Sequence, residues 1–383
     1  MEKTIYLDYN ATTPVSPEVV EEMLPYIHSH FGNPSSSYAF GRHNKEAIEN
    51  ARMQVANLIG SLPEEIIFTS GGTESNNHSI RGSAFANAQN GKHIVTSAVE
   101  HPAVTEVCRY LEKQGFEITS LPVDSFGRVN PADVEKALRP DTVLLTIMHA
   151  NNETGTIQPI KEIGEIAKKH GVLFHSDAAQ SVGKIKADVN EMGVDLLSIA
   201  GHKLYAPKGI GALYIRRGVT IENLIFGAGQ ESGQRPGTEN VPCIVALGKA
   251  CELAKENFEI SNRQMFQMRQ RLLEGLKEKI QSGIKLNADL NNCLPNTLSI
   301  AFEGVEAHTL ASIVNEQVSF STGSACHAGS AEVSPVLRAM NTDRKTAAGT
   351  VRFSTGKFTT TEEIDYAVEV ISTAVNQLHN LIS

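Results

Sequence analysis

Between Ile66 and Ile215 short apolar runs alternate with longer stretches of helical periodicity, and this alternation restricts the fold more than any other feature. Ile66–Thr69, His93–Thr96, Phe116–Leu121, Thr142–Ile147, Val172–Phe174, Leu196–Ile199 and Gly209–Ile215 read as strands, rich in β-branched and apolar residues. Helices are expected from Thr73, over Pro102–Gln114, over Pro131–Leu138 and over Ile160–His170, the last ended by Gly171. Strand, helix and strand in series mean a mostly parallel sheet with helices on both faces, an α/β fold. Ligands of such sheets bind beyond the carboxyl ends of the strands. His101, Asn152, Asp177, Gln180 and Lys203 all follow predicted strands, so they should meet on one rim.

Two of these residues suggest a chemistry. Lys203 sits just past Leu196–Ile199, in Ala200-Gly201-His202-Lys203, and Asp177 closes the run that begins at Val172. A lone lysine in such a turn is most often a solvated one. Paired with an acid at the end of a neighbouring strand, it matches what pyridoxal 5′-phosphate requires. The amine holds the aldehyde as a Schiff base, and the carboxylate keeps the pyridine nitrogen protonated so that the ring draws electrons. Ser70-Gly71-Gly72-Thr73 supplies a strand, a glycine pair and a hydroxyl residue opening a helix. Free backbone N–H groups and the helix dipole converge there, which suits a phosphate. That turn is common by itself and gains weight from Lys203 and Asp177.

The flanking regions complete the layout. A helix is expected from Pro17, another over about residues 42–59, and Tyr6–Asn10 should be briefly extended. Gly227–Thr238 is a glycine-rich loop, and Pro242–Ile280 is helical with a possible bend near Ile260. Beyond it the pattern becomes α+β: strands Thr297–Phe302, Val318–Ser321 and Val351–Ser354, helices Ala307–Asn315 and Glu362–Leu381. Residues 15–258 are expected to form a large domain, and residues 1–14 with 259–383 a smaller one. Residues 321–333, small and glycine-rich, read as an exposed, mobile loop that presents Cys326 beside His327. Such a thiol suits nucleophilic attack, although an inconsequential surface cysteine is equally consistent with the loop alone.

Composition removes other classes. With 383 residues and a net charge of −9, the chain has no basic stripe for nucleic acid. No apolar run approaches membrane-spanning length, and the first residues lack a signal-peptide pattern. Its five cysteines are scattered without a C-x-x-C, and its 13 histidines form no metal spacing, so neither a disulfide framework nor a metal site is expected and a cytoplasmic setting is.

Read together, the stretches YLDYNATTP (6–14), FGNPSS (31–36), FTSGGTESNN (68–77), EHPAV (100–104), ANNETG (150–155), HSDAAQ (175–180), GHKLYAPKGIGALY (201–214), RPGTEN (235–240), GSACHAG (323–329) and RFSTGKFTTTEEID (352–365) resemble one family. It is the class V, fold-type I pyridoxal phosphate enzymes of the cysteine desulfurase and selenocysteine lyase group. The resemblance runs nearly the whole chain in order. It implies a large domain with a mostly parallel seven-stranded sheet flanked by helices, plus the smaller α+β domain. It implies a homodimer in which Lys203 forms the Schiff base, Asp177 meets the pyridine nitrogen and Gln180 the phenolic oxygen. His101 would stack on the ring and move protons. Gly72, Thr73, Ala200 and His202 would line the cofactor site, with Thr238 reaching in from the other subunit. Asn152, Arg352 and Asn33 would hold the substrate, and Asn152 would also touch the cofactor. Cys326 would take sulfur from L-cysteine as a persulfide, releasing L-alanine, and pass it to an acceptor protein. His327, where the housekeeping desulfurases carry a hydroxyl residue, and RPGTEN look closer to the selenocysteine lyase branch, so L-selenocysteine is the alternative substrate. The chain stops at Ser383 soon after its last helix, so the tail by which housekeeping desulfurases dock a scaffold protein is expected to be missing. Aminotransferases share the fold and cofactor site without needing Cys326, and form the alternative of a different class.

Overall fold

A computed structural model describes residues 4–280, 283–327 and 330–382; for 324–327, 330–332 and 382 it describes the backbone alone. The alternating segment forms one seven-stranded sheet. Its spatial order is Ile66–Thr69, Gly211–Ile215, Leu196–Ala200, Leu173–Asp177, Thr142–Thr146, His93–Ser97, Glu117–Leu121. Six strands run in one direction, and Gly211–Ile215 is antiparallel to both neighbours. Most strands are buried along their full length because helices cover both faces, which is why they read as continuous apolar runs and not as alternations. The edge strand Glu117–Leu121 is half exposed, as its polar residues foretell. At the other edge, unpaired backbone groups are satisfied by side chains: Arg52 Nη1 donates to the Ile66 carbonyl at 2.8 Å, and the Phe68 N–H donates to Glu231 Oε2 at 2.8 Å.

The remainder packs around a smaller antiparallel sheet ordered Ser321–Thr322, Thr350–Ser354, Thr297–Phe302, Ile284–Leu286. The N-terminal strand Ile5–Tyr6 pairs in parallel with Val318–Ser319, so the beginning of the chain lies beside its last third. One hydrophobic cluster gathers residues between Val19 and Cys251. A second gathers Ile5 and Leu7 with residues from Leu272 to Val375. Val99 and Met148 join Val336, Leu337, Met340 and Ala347 in a third that stitches the two parts together.

Three sequence expectations change. The helix expected over Pro242–Ile280 is two helices, Val241–Glu256 and Phe258–Lys279; Asn257 leaves helical backbone and its side-chain N–H₂ donates to the Leu253 carbonyl. The strand expected over Val318–Ser321 divides, one half pairing with the N-terminus and the other with Thr350–Ser354. Within the segment read as a loop around Cys326, the backbone of Ser324–His327 pairs antiparallel with that of Ser330–Val333, with Cys326 opposite Ala331. A ladder satisfies backbone groups that a loop leaves to water, and the run's small residues hid that option. The side chain of Cys326 lies outside the described residues.

Candidate active site

Strand ends build the site. Leu173–Asp177 and Leu196–Ala200 lie side by side and parallel, with Asp177 opposite Ser198, so Asp177 and the turn carrying Lys203 leave the sheet at the same rim. Past Ala200 the chain tightens into a short 3₁₀ turn, Gly201–Lys203. Gly201 is required there: a Cβ would stand 2.8 Å from the Ile210 carbonyl oxygen. A cavity of about 320 Å³ opens at this rim. Gly72, Thr73, His101, Asn152, Asp177, Gln180, Ala200, His202, Lys203 and Arg352 all line it.

Lys203 is held by neutral oxygens. Its Nζ donates to the carbonyls of Asn10 and Ala11, the latter at 2.7 Å. Burial, with Arg352 nearby, pushes its amine down to about 8, against the pull of Asp8 and Asp177. Asp177 is buried and doubly held: Oδ2 accepts from Asn76 Nδ2 at 2.7 Å and Oδ1 from the Ala179 N–H at 2.9 Å. His101 caps the helix Pro102–Glu112, its Nδ1 accepting from the Ala103 N–H at 3.1 Å. Burial lowers its pKa and Lys203 adds to that, while Asp177 opposes. A neutral ring with Nδ1 as acceptor carries its proton on Nε2. His202 is pushed down to about 4 by burial and by Lys203, Lys208 and Lys184, so it is a neutral N–H donor.

At the same rim the helix Gly72–Ala86 begins immediately after Gly71, whose φ of +147° takes the chain from strand to helix. Gly72 and Thr73, at the start of a helix where N–H groups lack intrahelical partners, line the cavity, and a Cβ on Gly72 would crowd Ala200 at 3.3 Å. Glu74 fixes this end to the glycine-rich loop through Arg235 at 2.8 Å. The donors suit an anion, the Asp177 carboxylate suits a protonated ring nitrogen, and Asn76 Oδ1 is left buried without a partner inside the same wall. These residues fit pyridoxal phosphate.

Arg352 enters from the small sheet. Nη1 donates to the Asn152 carbonyl at 2.8 Å, and Nη2 to Asp8 Oδ1 at 2.6 Å and Ser321 Oγ at 2.8 Å. Its buried Nε has no partner among the described residues. Three of the five N–H groups are thus spent, and that on Nε and one on Nη1 remain.

Two expected residues stay outside. Asn33 lies in an exposed loop, where its Oδ1 accepts from the Ser35 N–H at 2.9 Å, and Thr238 is exposed on the glycine-rich loop. Neither lines this chain's own cavity. Reasoning from sequence also missed Asn10, which lines the cavity and joins Lys203, Gln180 and Lys184; Asp8; and Asn76. Asp8 and Asn10 lie in the YLDYNATTP stretch and Asn76 in TESNN, so motif membership was the available signal.

Residues 5–367 match the family described as aminotransferase class-V. The chain is 49% identical over 382 residues to "Cysteine desulfurase IscS" of Dictyoglomus turgidum, covering 100% of this chain and 97% of that protein. Its fold is similar to that of a solved "NIFS-LIKE PROTEIN", with a TM-score of 0.92, 39% identity and coverage of 98% and 100%. A structure titled "SspA in complex with cysteine" matches with a TM-score of 0.82 and 38% identity over 93% of this chain and 100% of that one.

Proposed function

We propose a division of labour among the cavity residues from one premise: the chain belongs to the aminotransferase class-V family and is a pyridoxal phosphate-dependent cysteine desulfurase. The observation that carries the assignment is the single rim where a desolvated Lys203, a doubly held Asp177 and the open start of a helix line one cavity. Lys203 would hold the cofactor through its amine, Asp177 through the ring nitrogen, Gln180 through the phenolic oxygen, and Gly72, Thr73 and His202 through the phosphate. When bound there, the cofactor draws electrons from the substrate's α-carbon and loosens bonds at the adjacent β-carbon.

The chain's own groups do the rest. Arg352 and Asn152 hold the substrate carboxylate and fix which bonds face His101 and Lys203. Lys203 is basic enough at its lowered pKa to take the α-proton. His101 holds a proton on Nε2 over the same space. The Cys326 sulfur forms a bond to the substrate sulfur as the substrate's carbon–sulfur bond breaks. The electron pair of that bond stays with the β-carbon, which takes one proton; the proton that Lys203 removed returns to the α-carbon to complete L-alanine, and Cys326 is left as a persulfide. A thiol of an acceptor protein then takes the terminal sulfur. Four cysteines among the described residues are free, which fits a reducing compartment such as the cytoplasm. No described helix is long and apolar enough to cross a membrane.

Alanine release from L-cysteine and L-selenocysteine, measured side by side with a thiol reductant, tests this assignment. The wild type is expected to release alanine from cysteine. Lys203→Ala should lose both this activity and the borohydride-reducible cofactor. Cys326→Ala should lose the persulfide and cysteine turnover while keeping its bound cofactor. Full cysteine turnover by Cys326→Ala would overturn the thiol's role, and a reducible cofactor in Lys203→Ala would overturn the lysine's.

A further inference from the structure

Behind the cavity wall lies a lysine that the reaction does not use. Lys184 is 5% exposed, and its Nζ donates to Gln180 Oε1 at 3.0 Å and to Asn10 Oδ1 at 3.3 Å. No carboxylate is among those partners. Both amides are pinned elsewhere as well. Gln180 Nε2 donates to the Asn10 carbonyl at 2.9 Å, the same oxygen that receives Lys203. Asn10 Oδ1 also accepts from Asn296 Nδ2 at 3.0 Å, and Asn10 Nδ2 donates to Thr297 Oγ1 at 2.8 Å.

A glutamine amide has an accepting end and a donating end, and its neighbours decide which way each points. Charged or neutral, Lys184 has N–H groups for both oxygens it meets. With Oε1 facing Lys184, the cavity side of Gln180 is left with N–H. One of its two N–H bonds is spent on Asn10, and the other has no partner among the described residues.

We propose that Lys184 is a positioning residue: by holding Gln180 Oε1 it commits that amide to offering an N–H, and never its oxygen, to the ring oxygen of the cofactor beside Lys203. The inference rests on the cofactor reading of this cavity. An N–H donor stabilises negative charge on the ring oxygen. That charge is least compensated once the nitrogen joining Lys203 to the cofactor has lost its proton. The donor therefore lowers the pH at which the proton leaves. Without Lys184 the amide can turn, setting its oxygen against the ring oxygen, and the proton is kept to higher pH.

The experiment is a pH titration of the visible absorption of the substrate-free holoenzyme, in wild type, Lys184→Met, Gln180→Leu and the double variant, with thermal unfolding recorded in parallel. Asp177, Asp8, Arg352, His101 and His202 also face Lys203 and are unchanged in all four proteins. Lys184→Met should raise the spectral midpoint by at least about half a pH unit, roughly a threefold change in proton affinity. Gln180→Leu should raise it too, and the double variant should go no further than Gln180→Leu, because residues acting through one bond are not additive. A midpoint in Lys184→Met within about a tenth of a unit of wild type, whatever the loss of thermal stability, would overturn the proposal. So would full additivity, which means Lys184 acts by its charge and not through Gln180. If Lys184→Met does not fold, Lys184→Leu, which likewise has no N–H to offer, replaces it in the same cycle. A wild type with no lysine-linked band would overturn the cavity reading, and this inference with it.

Discussion

Glu100 immediately precedes His101 and is buried, yet no cation among the described residues meets it. Its Oε1 accepts from Ser97 Oγ at 2.6 Å and from the Met148 N–H at 2.9 Å, while Oε2 has no partner. Burial pushes its carboxyl up to about 8, with Asp177 adding to the effect. The unfolded chain gives up this proton near the ordinary value of 4.5, whereas the folded chain keeps it to about 8. The folded state therefore binds more protons in that window, and its stability falls as pH rises through it. Glu100→Gln, which cannot ionise, should lack this fall. Thermal unfolding of both proteins from pH 5 to 9 should show the variant's melting temperature rising relative to wild type as pH increases; a constant difference would mean Glu100 is already charged at pH 5. Residues such as Lys203 and Asp177 were legible in the sequence because each closes an apolar run. Glu100, Asn10 and Lys184 were not, because their environment is made by partners that arrive from elsewhere in the chain.

Elements here carry double duty. The cap that starts Pro102–Glu112 is the ring of His101, so forming the helix also aims the imidazole's free nitrogen. The turn after Thr142–Thr146 carries Asn152 and closes at Gly155, whose φ is +78°. A Cβ there would lie 2.7 Å from Cys293 Sγ and 2.7 Å from Thr297 Cβ. Gly155→Ala thus meets both an unfavourable backbone and an occupied space, and should cost about 1–3 kcal/mol. Because the Asn152 carbonyl holds Arg352, the variant should also raise KM for cysteine more than it lowers kcat. Denaturant unfolding and steady-state kinetics test this, and an unchanged KM would show that the turn does not position Arg352. Strand and helix boundaries were read closely where apolar runs end at glycine or proline. The strand pairing around Cys326 was missed because small residues carry no strand signal.

At the scale of the whole molecule, Asn33 and Thr238 stand apart from the Lys203 cavity, and their loops border a separate groove of about 800 Å³. Phe31, Tyr38, Phe40 and Phe226 are exposed beside these loops, with Phe31 and Phe40 in ring contact at 5.6 Å. A second copy that buries these rings and brings Thr238 into its neighbour's cavity would use both features. Mixing Lys203→Ala and Thr238→Ala subunits after mild dissociation should then restore cofactor content and alanine release in one site of each mixed dimer. Recovery no greater than the sum of the two parents would overturn that arrangement. The sequence by itself determined the alternating α/β layout, the rim on which the cavity forms and the identity of the lysine and acid that close neighbouring strands. Those properties follow from periodicity and from the short-range rule that strands end where polarity and glycine begin. Only the tertiary structure decided that Arg352 from the small sheet rests on Asp8, that Asn10 ties both sheets to Lys203, and that a buried lysine meets the Gln180 amide oxygen. Those contacts join residues more than a hundred positions apart or depend on which end of an amide faces inward, and neither is encoded in local pattern.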